Sequence, residues 1–105
     1  MKIRNNKFDL TGDNGEVITV GVSSPTGEVI TYVLNGKTWA GGSFTLDKNA
    51  MPVFKLSVMI IYKDKSGGSA TITVTGSNGG DVSTDKETQA PGEPFDAAIY
   101  RFTIL

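Results

Sequence analysis

Between Val53 and Lys63 the chain carries an apolar side chain on every second residue: Phe54, Leu56, Val58, Ile60 and Tyr62. Side chains alternate between the two faces of a strand, whereas a helix repeats every ~3.6 residues, so this alternation specifies a strand with one buried face. The opposite face of the same segment carries Lys55 and Ser57, but also Met59 and Ile61. Apolar residues on both faces predict a central strand that is covered on both sides near its end.

The same period recurs along the chain. Phe8 and Leu10 begin it, Thr11-Gly12-Asp13-Asn14-Gly15 interrupts it, and Ile18, Val20 and Val22 resume it. Ser24-Pro25-Thr26-Gly27 has the composition of a tight turn, because Pro presets φ and Gly accepts the turn exit. That turn predicts a hairpin with Glu28–Leu34, which is closed in turn by Asn35-Gly36, the strongest short hairpin signal. Phe44 and Leu46 share a face after Gly41-Gly42, and Asp47-Lys48-Asn49-Ala50 turns the chain into the long strand. Lys63 to Gly68 is expected to be a polar hairpin loop leading into Ala70, Ile72 and Val74, and Ala98, Tyr100, Phe102 and Ile104 align in a last strand from Ala97 to Leu105. Gly76 to Asp96, with Pro91 and Pro94, has no clear strand pattern beyond a short edge strand at Asp81 to Thr84, and is expected to be a long functional loop or a disordered excursion. These elements predict one all-β domain over residues 1–105. It would hold about seven antiparallel strands in a two-sheet sandwich, immunoglobulin-like or jelly-roll-like, with a small barrel as the alternative.

Composition then excludes much chemistry. The 105 residues contain no cysteine and no histidine. Disulfides, thiolate metal sites, cysteine nucleophiles and histidine general bases are therefore absent from this chain. A net charge of −1 offers no dense positive patch for a phosphate backbone, and Lys2, Arg4 and Lys7 read as a protected strand edge, so no nucleic-acid partner is expected. Val58 to Tyr62, the longest apolar run, is too short to span a bilayer. The opening Met1-Lys-Ile-Arg-Asn-Asn-Lys7 lacks the apolar segment of a leader. The expected location is the cytoplasm, or outside the cell or on its surface if a leader was removed.

The remaining candidates are ligand-binding residues. Asp13, Asp81 and Asp85 stand among Asn and Gly in turn-like segments, the residue types that supply oxygen ligands to calcium. Asp and Asn are equally the residues of ordinary solvated turns. No EF-hand spacing is present, and Gly76-Ser77-Asn78-Gly79-Gly80 lacks the lysine and helix of a phosphate loop. Trp39, with Asn35 and Lys37 beside it, would stack on a sugar if exposed and would plug the core if buried. Asn78, Asp81 and Asp85 complete the ligand-binding candidates. Thr71, Thr73 and Thr75 form a single outward row of β-branched residues. No residue is assigned a catalytic role, and no cofactor is required, calcium being the one considered. The expected function is a non-catalytic binding or interaction module for carbohydrate or protein. A self-associating structural subunit is the alternative, suggested by Met59, Ile61 and the apolar end Ile104-Leu105, and a small carboxylate hydrolase is a third reading.

Overall fold

A computed structural model describes residues 1–63, 67–88 and 95–105. Among these, ten strands follow in order: β1 (Lys2–Ile3), β2 (Asp9–Gly12), β3 (Val17–Ser23), β4 (Glu28–Leu34), β5 (Lys37–Trp39), β6 (Gly42–Thr45), β7 (Val53–Tyr62), β8 (Gly68–Gly76), β9 (Asp81–Thr88) and β10 (Phe95–Ile104). They form a six-stranded sheet, β1-β2-β10-β7-β4-β5, and a four-stranded sheet, β6-β3-β8-β9. The two sheets pack face to face as a sandwich and do not close into a barrel, since each ends in its own edge strands.

The alternation seen in the sequence is the division between core and surface. Leu56, Val58 and Ile60 of β7, Ile72 and Val74 of β8, and Tyr100 and Phe102 of β10 are completely shielded from solvent. Each fully buried aliphatic or aromatic side chain contributes about 1.5–3 kcal/mol of transfer free energy, so these inward rows dominate the stability. The Asn35-Gly36 turn joins β4 to β5 as expected, with both residues at positive φ (52° and 81°). Asn35 also accepts a hydrogen bond on Oδ1 from the Lys55 amide at 2.9 Å, tying the turn to β7.

Several expectations are corrected. Ten strands replace seven, partly because β9 occupies Asp81–Thr88 where a loop with a short edge strand was expected. Its inward residues are Val82, Thr84 and Lys86, so only one strong apolar residue marks it and its period is invisible. The Ser24–Gly27 turn makes no hairpin, since β3 lies in the small sheet and β4 in the large one. For the same reason the segment between Lys63 and Gly68 joins two sheets, not two paired strands. A turn sequence dictates a change of direction, whereas the strand partner is chosen by packing. The sheets are not wholly antiparallel, because β2 runs parallel to β10, pairing Leu10 with Phe102. Finally, β7 is central between β10 and β4, yet its second face is uncovered: Ile61 is 49% exposed. A sandwich has two layers, and a strand central within one layer still shows one face to water. Asp64 to Ser66, and the Pro91 and Pro94 part of the expected loop, lie outside the described residues.

Two buried hydroxyls interrupt the apolar interior. Thr84 and Tyr100 are both fully shielded, and neither hydroxyl meets the geometry of a well-formed hydrogen bond. Burial raises the Tyr100 phenol above its ordinary value, with the neighbouring Thr84 hydroxyl opposing more weakly. A buried hydroxyl without a good partner costs about 1–3 kcal/mol, and an apolar group of the same shape removes that cost. Thr84→Val is therefore expected to leave the denaturation midpoint unchanged or raise it. A loss of about 1 kcal/mol or more in urea unfolding would indicate that the hydroxyl is satisfied.

Candidate functional site

Three regions hold the residues with chemical potential. The first is built around Glu16, one residue before β3. Its register matches Ile18 and Val20, so the alternation that buries those residues also directs this carboxylate inward, where it is 1% exposed. Glu16 Oε2 accepts from the Met1 ammonium at 2.8 Å and the Asn78 amide at 3.1 Å, and Oε1 accepts from the Asp13 amide at 3.0 Å. The ammonium also donates to the Gly79 carbonyl at 2.9 Å. Gly76 makes room for this cluster, since a Cβ there would collide with Glu16 Oε2. Gly80, at φ +86°, lets the backbone come against the Met1 carbonyl. Burial alone would raise the Glu16 pKa. The hydrogen bonds from the ammonium, Asp13 and Asn78, with the ammonium charge, outweigh it and hold the carboxyl below its ordinary value. A low-pKa carboxylate that accepts three hydrogen bonds cannot deliver a proton near neutrality, so this group acts as a clamp between the β2–β3 and β8–β9 turns.

The second region contains the residues singled out in the sequence, and the structure gathers only two of them. Asn78 Nδ2 donates to Asp13 Oδ2 at 2.9 Å, and both line a cleft of about 360 Å³ with Met1, Lys2, Gly79 and Leu105. Asp81 and Asp85 stand exposed on β9, and Asp85 accepts from the Thr71 hydroxyl at 2.9 Å. Four residues along a strand separate these two carboxylates by about 13 Å, too far to share one ion. Among the described residues no three acidic side chains come together as a metal site, so the calcium expectation finds no assembled ligand set there.

Trp39 lies apart from these carboxylates, at the edge where the large sheet's β5 approaches the small sheet's β6. Its ring meets Tyr32 at 5.5 Å and Phe44 at 5.4 Å between centroids, both edge-on. Phe44 continues the contact to Phe102 at 5.6 Å, and the half-buried indole thereby closes the side of the sandwich. Asn35 is committed to β7 through Lys55, and Lys37 is exposed at the start of β5. Burial raises the Tyr32 and Tyr62 phenols, with the charges of Asp96, Glu28 and Glu87 adding to the effect at Tyr62.

The third region is the outward face of the large sheet, only part of which, Met59 and Ile61, stands out in the sequence. Register places Val29, Ile61 and Phe95 in one row across β4, β7 and β10, and each is about half exposed (51%, 49% and 52%). The next rows are Thr31, Met59 and Ala97, then Val33, Ser57 and Ile99. Ile99 is also half exposed, and Lys55 pairs with Arg101 directly beyond it. A groove of about 500 Å³ borders this face, lined by Phe8, Ala97, Ile99 and Arg101 with Lys86. The ammonium groups of Lys7 and Lys86 each stand 5.6 Å from the Phe8 ring centre. The alternation could have disclosed all of these positions, because each falls on the parity opposite to a buried row.

No family model, curated protein or solved structure matches the chain.

The Glu16 clamp carries a pH dependence. A carboxyl whose folded pKa lies below its unfolded one stabilises fully above the unfolded value, and this contribution is lost as pH falls through the folded one. The parent is therefore expected to lose stability as pH drops from about 4.5, the ordinary value, through the lower folded value. Glu16→Gln should cost about 3 kcal/mol at neutral pH and flatten that acid limb. Unfolding midpoints measured across acidic pH check this, and an unchanged acid limb in the variant would contradict the clamp.

Proposed function

We propose that this domain is a non-catalytic interaction module that recognises protein through the outward face of its large sheet. One observation carries the reading: Val29, Ile61, Phe95 and Ile99 are half exposed on adjacent, hydrogen-bonded strands. Scattered exposed apolar residues are ordinary on any protein, but a contiguous patch on a flat sheet is the chemistry of a binding surface. Supporting it, the face belongs to the three central strands of the large sheet, which hold it rigid, and the adjoining groove adds an aromatic ring flanked by cations. Rigid presentation lowers the entropy lost on binding.

Carbohydrate recognition at Trp39 has less support, since the ring packs edge-on between two aromatics and its outer side is only partly open. Catalysis has less support: among the described residues, the buried Glu16 is saturated with hydrogen bonds, and burial raises the phenol of Tyr100.

Selection from a random peptide library on the immobilised domain tests the reading. Enriched peptides are expected to combine apolar with acidic residues, and to bind at least about tenfold more weakly, ~1.4 kcal/mol, to Ile61→Lys. Peptides that ignore that substitution would contradict the reading. So would a sugar that raises the melting temperature of the parent but not of Trp39→Ala.

A further inference from the structure

The two outward faces of the sandwich differ in charge as well as in polarity. On the large sheet, the outward positions carry Lys2, Lys55, Lys63 and Arg101, with Arg4 reaching Thr103 by a hydrogen bond of 3.0 Å; Asp9 is the one acid among the described residues of that face. Lys55 and Arg101 lie at one end of the apolar rows, and Lys63, one residue past β7 with its amide bonded to the Gly27 carbonyl, lies at the other. The outward face of the small sheet is the reverse. Its strands present Val17, Thr19, Gly21 and Ser23, then Ser69, Thr71, Thr73 and Thr75, and finally Asp81, Ser83, Asp85 and Glu87, with no cation among them.

We infer that the occupant of the large sheet's apolar face is the small sheet's acidic face of a second copy of this chain, stacked head to tail. This rests on the reading of that face as a binding surface and names its partner. Charge argues for this pairing against the symmetric one. Two large-sheet faces related by a twofold axis would set Lys63 of each over the Lys55–Arg101 end of the other, like charge on like. The small-sheet face instead offers a row of carboxylates from Asp81 to Glu87 about 20 Å long, against about 26 Å between Lys55 and Lys63. The threonines Thr71, Thr73 and Thr75 stand on β8, one strand beside that carboxylate row, so with the row over β7 they meet the apolar residues of an adjacent strand, Val29 of β4 or Ile99 of β10. The small sheet limits the contact: its strands of 4, 7, 9 and 8 residues, about 4.8 Å apart, give a face of about 450 Å². Both sides together bury about 900 Å², in the range of weak, transient contacts and below the ~1,200 Å² of stable ones, so the association is concentration-dependent. A head-to-tail contact that does not close into a ring grows into linear stacks.

Charge exchange followed by sedimentation velocity tests the pairing. In low salt the parent is expected to form species that grow with concentration, and to dissociate when salt shortens the screening length to about 3 Å. Lys55→Glu with Arg101→Glu makes both faces acidic, and Asp81→Lys with Asp85→Lys makes both cationic. Each double variant alone should sediment as a folded monomer by circular dichroism. An equal mixture should reassemble, because the acidic variant's small sheet still fits the cationic variant's large sheet, and the exchanged faces fit each other. A parent that stays monomeric in low salt, a mixture that does not reassemble, or variants that associate singly like the parent would each overturn the inference. A monomeric parent that nonetheless binds the selected acidic peptides overturns self-stacking alone and leaves the binding face standing. One that binds neither removes both. A monomer that sediments with phosphatidylserine vesicles would overturn it in favour of a lipid surface.

Discussion

The rest of the molecule depends on the pairing of β7 with β10 on one side and β4 on the other. Its register aligns Leu56, Val58 and Ile60 with Tyr100, Ala98 and Asp96 across one interface, and with Leu34, Tyr32 and Ile30 across the other. Because side chains alternate, the same register that builds the core also lines up Ile61 with Val29 and Phe95 on the opposite face. A slip of one residue would exchange the two sets and place Lys55 in the core. Core and outer face are therefore products of a single constraint.

Consequences of that constraint reach the sheet edges. Once β7 is fixed as the centre of a one-sided layer, the small sheet must cover its inward row, and β3 and β8 do so with Ile18, Val20, Ile72 and Val74. The open flank between β5 and β6 is closed by Trp39 against Tyr32 and Phe44. The turns at Asp13 and Asn78 are drawn together by Glu16, whose carboxylate is held by backbone amides and an ammonium. What is left outward on the two sheets differs sharply: apolar and cationic on one, hydroxylated and acidic on the other.

The sandwich and most of its core were legible in the sequence, since each buried row of β3, β7, β8 and β10 is announced by strict alternation. What escaped reading has identifiable physical causes. The first half of β9 was read as an edge strand at Asp81 to Thr84, but its full length hid because Thr84 and Lys86 take inward positions that usually hold apolar residues. The sheet crossings after Ser23 and Tyr62 hid because Pro, Gly and Ser report a turn, not a partner. Glu16 stands on the inward parity of β3, a detectable signal, but a carboxylate there reads as part of the preceding polar turn until its amide donors are in place. Of the candidate ligand residues, Asp13 and Asn78 meet because two turns converge, a long-range event that local pattern does not encode. Ile61 and Met59 were visible as a second apolar face. That this face is open, not covered, follows only from the layer count.

The division of faces is tested most directly by moving polarity to each side of β7 in turn and measuring urea unfolding. Replacing Ile61 and Ile99 together by Thr should change stability by less than about 1 kcal/mol, because both side chains are already half in water. Replacing Ile60 alone by Thr, on the shielded side of the same strand, should cost several times more, about 2 kcal/mol or above, since it buries a hydroxyl and removes core volume. Equal losses from the two variants would contradict the account, because the outward isoleucines would then be holding the fold together instead of facing a partner.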